Sequence, residues 1–256
     1  MNDMKAILFD AGNTRLKWGY FSGTRISKSG SLTHEQIHDN GFAAMTNKLP
    51  RNVTHAAASN VAGAGFAMKL SSVVGLHYGL DLRIAHCEKR ACGVTTSYRQ
   101  HRRLGVDRWI AMIGAWNEFR SALCIVDAGT AMTIDVVDRS GQHLGGQIVP
   151  GIGLMGESLR TRASNIEPVR RKSKDPGDGL GIFGKNTDDA IAYGSLTAAC
   201  GAIERAAKRL RSAGMRPKIV LTGGDASRIL KQLNSNVIHR PHLVLQGLAT
   251  MLQSEK

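Results

Sequence analysis

The 256-residue chain carries 34 lysines and arginines against 20 aspartates and glutamates, a formal net charge of +14, with 42% apolar and 21% charged residues. That balance is that of a globular chain long enough to bury a core, and no run reaches the roughly 18 apolar residues a membrane span requires. Aromatics are only 5% of residues and do not interleave with the basic clusters at 99–103 and 170–174 as stacking platforms would. A positive field also attracts small anions, so the charge leaves nucleic acid and small anions both open as partners.

In chain order, Ala6 to Phe9 form an apolar run that ends in Asp10-Ala11-Gly12-Asn13-Thr14, after which apolar residues alternate at Leu16, Trp18 and Tyr20. This pattern predicts a β-hairpin, with Gly12 offering space and φ > 0. A third strand is expected over Phe21–Gly30, a helix over His34–Leu49, a strand over Val53–Val61, a helix over Phe66–Val74 and a short strand over Leu80–Ala85. Glu88–Arg103 reads as polar and irregular, and Leu104–Phe119 as a helix. The segment Leu123–Val137 then repeats the opening plan: an apolar run, Asp127-Ala128-Gly129-Thr130, and an alternating strand. A strand into a Pro-Gly turn follows at Gly145–Gly151, then a helix over Leu154–Arg162 and a long loop over Ser164–Lys185. Asn186 caps an alanine-rich helix to about Leu210. Lys218–Leu221 is a strand leading into Thr222-Gly223-Gly224-Asp225 and a helix, and Pro241–Leu252 is a final helix.

Asp127 lies 117 positions after Asp10, close to half of the 256 residues, so the repeat predicts two similar α/β halves. The division is expected at 1–117 and 118–256, with the two acidic turns facing one cleft. A carboxylate beside a donor-rich turn suits a metal-bound polyphosphate, although Asp, Gly and Asn also build ordinary turns. Cys87, Cys92, Cys124 and Cys200 form no CxxC pair and no zinc spacing. With no charged leader before an apolar core, a reduced, cytoplasmic protein is expected.

Five ordered segments resemble the type III pantothenate kinases: DAGNTRLKW at Asp10, GVDR at Gly105, DAGTAMTID at Asp127, GGQIVPG at Gly145 and TGGDA at Thr222. This family of the actin-like, acetate and sugar kinase superfamily is also described as Bvg accessory factors. The resemblance implies two duplicated actin-like (ribonuclease H-like) domains, each a mixed sheet flanked by helices. It also implies transfer of the ATP γ-phosphoryl group to pantothenate, the first step of coenzyme A synthesis, by a homodimer.

On that resemblance the ATP-binding segment is Asp10, Ala11, Gly12, Asn13, Thr14, Arg15, Leu16 and Lys17, joined by Gly129 and Thr130. Asp10 is the expected Mg²⁺ residue, and a monovalent cation, K⁺ or NH₄⁺, is implied near Asp127. Asp107 matches the residue that accepts the proton of the pantothenate hydroxyl; its place at a helix start suits an ionised carboxylate. Tyr98, Gly105, Val106, Arg108 and Thr187 match substrate contacts. Two rivals remain. The charge and the accessory-factor name suggest a DNA-associated transcriptional factor, for which no helix-turn-helix or zinc-finger pattern is present. A sugar or acetate kinase of the same superfamily would ordinarily be a longer chain.

Overall fold

The computed structural model describes residues 4–162, 182–233 and 236–254. Its first stretch contributes β1 (Lys5–Ala11), β2 (Arg15–Ser22), β3 (Arg25–Thr33), α1 (His34–Asn40), α2 (Ala43–Thr46), β4 (His55–Asn60) and α3 (Ala64–Tyr78). The two-residue strands β5 (Arg83–Ile84), β6 (Arg90–Ala91) and β7 (Val94–Thr95) and helix α4 (Val106–Phe119) follow. Then come β8 (Leu123–Ala128), β9 (Ala131–Val137), β10 (His143–Pro150), α5 (Ile152–Arg162), α6 (Thr187–Ser212), β11 (Lys218–Thr222), α7 (Ala226–Leu230), β12 (Val237–His239) and α8 (Leu243–Gln253).

Two five-stranded sheets result, in the orders β3-β2-β1-β4-β5 and β10-β9-β8-β11-β12. In the first, β1–β2 and β2–β3 are antiparallel, while β1–β4 and β4–β5 are parallel. In the second, β8–β11 and β11–β12 are parallel in the same positions. The repeated Asp-Ala-Gly turn is therefore the visible part of a repeated topology. In each copy a tight turn opens the first hairpin, and helices carry the crossover that parallel pairing demands.

The compact units are discontinuous: one is Met1–Ser121 with Val137–Gly145 and His242–Lys256, the other Ala122–Val136 with Gly146–Pro241. The expected division at 117/118 differs in leaving the last helix with the second half. Its sequence explains why it belongs to the first unit. Leu243, Val244, Leu245, Leu248, Ala249, Met251 and Leu252 are buried over all of α8 except the face of Gln246, Thr250 and Gln253, and an apolar stripe that wide must be covered on more than one side. It packs on α4 and on β1, β2 and β4. A β-carbon at Gly247 would lie 2.1 Å from Ile110 O, and one at Gly114 only 2.8 Å from Leu243 O. The two helices thus cross backbone to backbone at Ile110 and Gly114 of α4. Ile7, Phe9, Ala11, Leu16, Trp18, Ala56 and Ala58 pack with Leu70 and Val74 of α3 as the first unit's core.

In the second unit Val126, Ala128, Met132, Ile134, Ile219 and Leu221 pack with Ala199, Ile203 and Ala207 of α6. The expected helix over His34–Leu49 is instead α1 and α2. Thr33 and Gln36 close a capping box at its start, and Gly41 at φ 61° ends α1, because a left-handed residue cannot continue a right-handed helix. Glu88–Arg103 contains the β6–β7 hairpin, turned at Cys92 and Gly93 with φ of 49° and 83°, and a 3₁₀ turn at His101–Arg103. Of the loop expected over Ser164–Lys185, residues 164–181 lie outside the described residues, as does the basic cluster at 170–174. Among the described residues no helix is long and apolar enough to cross a membrane.

Candidate active site

Three groups of predicted residues assemble, two in the first unit and one in the second. The first is the β1–β2 turn. Parallel and antiparallel register set Asp10 beside Ser59 on β4 and Lys17 on β2, at the carboxyl end of β1, where α/β sheets bind ligands. Asp10 is 7% exposed, with Lys17 Nζ 3.6 Å from Oδ2. The Ser59 hydroxyl is fully buried and has no hydrogen-bond partner among the described residues. Gly12 N donates to Arg15 O at 3.0 Å. The φ > 0 freedom expected of Gly12 is not used; a β-carbon there would come no nearer than 3.4 Å to Arg15 O, so the missing side chain leaves space outside the turn. Asn13, Thr14 and Arg15 are exposed. Ala11 and Leu16 are fully buried, so only their backbone is available to a ligand. His34 closes the turn, its backbone N donating to Thr14 O at 3.1 Å and its ring Nε2 lying 2.9 Å from Gly12 O.

The second group surrounds Asp127. Thr222 pairs with Asp127 across β11 and β8. Gly223, at φ +99°, lies where a β-carbon would be 2.4 Å from Ala128 O, and Asp225 N donates to the same carbonyl at 3.0 Å. On the other side Gly151 N donates to Thr130 O at 2.9 Å, and a β-carbon on Gly151 would lie 2.1 Å from Gly129 O. Three motifs far apart in sequence, Asp127–Thr130, Pro150–Gly151 and Thr222–Asp225, are thus packed backbone against backbone. The Asp225 carboxylate pairs with Arg228 at 3.4 Å.

The third group lies at the start of α4. Gly105 is the N-cap and supplies no side-chain cap; instead Arg108 N donates to Asp107 Oδ1 at 2.8 Å. Gly105 makes room for that carboxylate, since a β-carbon would be 2.7 Å from Oδ1. Arg108, 7% exposed, donates from NH1 to the Tyr98 hydroxyl at 3.3 Å. The opposite partner of Tyr98 is the buried His143, with ring centroids 5.9 Å apart. Cys87 Sγ–H donates to Leu104 O at 3.0 Å. Its thiol is pushed up to about 12 by burial and then by the Asp107 charge, with Arg108 opposing.

Thr187 opens α6 in the second unit. Asn186 caps that helix by accepting from Asp189 N at 2.9 Å, so the exposed Thr187 hydroxyl is not needed as a cap. The sequence reading missed His34, Ser59, Cys87 and His143. The capping box at Thr33 marks where α1 starts, but none of these four carries a local pattern that points to the site.

The sequence model of the type III pantothenate kinases matches residues 6–209. A type III pantothenate kinase of Chromobacterium violaceum is 34% identical over 244 residues, covering 94% of this chain and 97% of its own. Among solved structures, a Baf-family protein of Campylobacter jejuni is similar at a TM-score of 0.59 and 20% identity, over 97% of this chain and 98% of its own. A 2-dehydro-3-deoxygalactonokinase candidate of Sinorhizobium meliloti is similar at 0.60 and 13% identity, over 98% and 99%. At such identities the likeness is one of fold, the actin-like and sugar-kinase fold of two mixed sheets flanked by helices.

Proposed function

The chain belongs to the type III pantothenate kinase family, and on that premise we propose how its residues phosphorylate pantothenate, the first step of coenzyme A biosynthesis. ATP is the phosphoryl donor. Phosphoryl transfer asks the protein for position, charge and an oriented nucleophile rather than covalent chemistry. The exposed Asn13 and Thr14, the open face of Gly12 and the Lys17 ammonium of the first unit hold phosphate oxygens, and Gly129 and Thr130 are the corresponding ATP residues of the second unit's own turn.

The donors at Asp10 fit Mg²⁺. A buried carboxylate stands beside the unpartnered Ser59 hydroxyl, and no group of three or more His, Cys, Asp or Glu among the described residues forms a cage. A hard cation held by one carboxylate takes its other ligands from phosphate and water. Mg²⁺ held there would supply neutralisation of the phosphates' negative charge. Asp127, in a turn rich in backbone carbonyls, suits K⁺ or NH₄⁺. Asp107 accepts the proton of the pantothenate hydroxyl, its carboxylate held at the start of α4 by the Arg108 amide. Arg108 and Tyr98, locked to one another, orient the substrate with Gly105 and Val106. Thr187 adds a contact on the homodimer, and the setting is the cytoplasm.

The observation that carries this reading is the Asp107 carboxylate folded onto the start of α4 in a space that only Gly105 leaves. ADP release measured with pantothenate against a panel of sugars, with and without K⁺, tests the substrate. Asp107→Asn is expected to lower kcat by about 10²–10⁴-fold while ATP binding persists. A near-normal kcat in that variant would remove Asp107 from the role of base.

A further inference from the structure

We propose that His34 is a positioning residue for the nucleotide: it holds the phosphate-binding turn in the one orientation that presents its amides to the ligand. The inference rests on reading Asp10–Lys17 as the ATP segment and adds to it a residue outside that segment. Three residues, Gly12, Asn13 and Thr14, join β1 to β2, and His34 grips both ends of this loop. Its backbone N donates to Thr14 O at 3.1 Å, and its ring reaches Gly12 O at 2.9 Å. A carbonyl only accepts, so Nε2 carries the proton; the Nε2–H tautomer and the imidazolium both satisfy the bond.

The consequence follows from peptide planarity. In a trans peptide the C=O and the next N–H point to opposite sides. With Gly12 O turned to His34, the Asn13 N–H faces away from the imidazole. Without the ring, the 12–13 peptide would be free to rotate, because Gly12 has no side chain to resist it. The ring is itself held, tilted against Phe66 at a centroid distance of 4.7 Å, and Thr33 and Gln36 cap the helix that begins at His34. The imidazole therefore has one position, and so does the carbonyl it holds. Anion sites built from backbone amides depend on such fixed orientation.

Two variants separate the bond from the packing. His34→Phe keeps a ring against Phe66 and removes the donor; His34→Gln keeps an amide donor of similar reach and removes the ring. KM for ATP and for pantothenate are measured for each, together with the Kd of Mg-ADP by calorimetry. His34→Phe is expected to raise the ATP KM and the ADP Kd about 5- to 20-fold with the pantothenate KM within about twofold, whereas His34→Gln stays within about threefold of the parent in all. Unchanged ADP binding in His34→Phe, an equal rise in both KM values, or a loss in His34→Gln as large as in His34→Phe would overturn the proposal. A parent enzyme that binds Mg-ADP but leaves pantothenate unphosphorylated would instead refute the substrate assignment, and the calorimetric comparison would still decide the role of His34.

Discussion

Asp107 and Cys87 show how one residue's chemistry depends on neighbours that are distant in sequence. Asp107 was legible because an acid in the first turn of a predicted helix, inside GVDR, has a recognisable place. Cys87 was not, because its partner Leu104 O is reached only after the intervening chain has folded. The same burial that hides the cysteines makes a pH prediction. Cys87 and Cys124 are raised from 9.0 to about 12, and Cys200 to about 11, in each case first by burial. A thiol whose folded pKa lies above its unfolded value holds its proton more tightly when folded. That stabilisation is complete below pH 9 and is lost as pH rises through 11 and 12. Thermal unfolding followed from pH 8 upward is expected to show Tm declining once pH passes about 9. At pH 8 iodoacetamide should modify the half-exposed Cys92 first, with the three buried cysteines protected; mass spectrometry showing Cys87 or Cys124 labelled ahead of Cys92 would contradict the buried placement.

At the scale of the element, hairpins and long helices were readable and the turns that brace them were not. The Asp-Ala-Gly hairpins follow from apolar alternation on either side of turn formers. The splitting of the expected helix at Gly41 came from one residue of positive φ, which periodicity does not register. In the Thr222–Asp225 segment, whose sequence marks only the end of a strand, Gly223 is pressed against the backbone of Ala128. Gly223→Ala adds a side chain both at positive φ and into that backbone, and is expected to cost about 2–4 kcal/mol, lowering Tm by roughly 5–15 °C. Gly224→Ala, with nothing within 4 Å of the added carbon, is the matched control and should change Tm by no more than about 2 °C. Equal losses in the two variants would show that the turn does not lean on Ala128.

For the whole molecule, the proposed homodimer is placed on α6. Tyr193, Leu196, Thr197, Cys200 and Glu204 of that helix line a groove with Ile182 and Gln232, and Leu159, Ile182 and Phe183 are exposed large apolar residues. Sedimentation equilibrium at micromolar concentration is expected to return twice the chain mass of 27.6 kDa; a monomer would refute the dimer. The sequence by itself determined the duplication, since a hairpin's turn and its alternating strands are local and recur wherever Asp-Ala-Gly ends an apolar run. It also determined the reaction class, because the five motifs keep their order and character along the chain. Only the tertiary structure decided that the last helix completes the first unit, that Gly223 and Gly151 clasp the second turn, and that His34 grips the first. Those are contacts between residues separated by tens to more than a hundred positions, and they are set by which surfaces can bury one another, a property of the packed chain that no local pattern encodes.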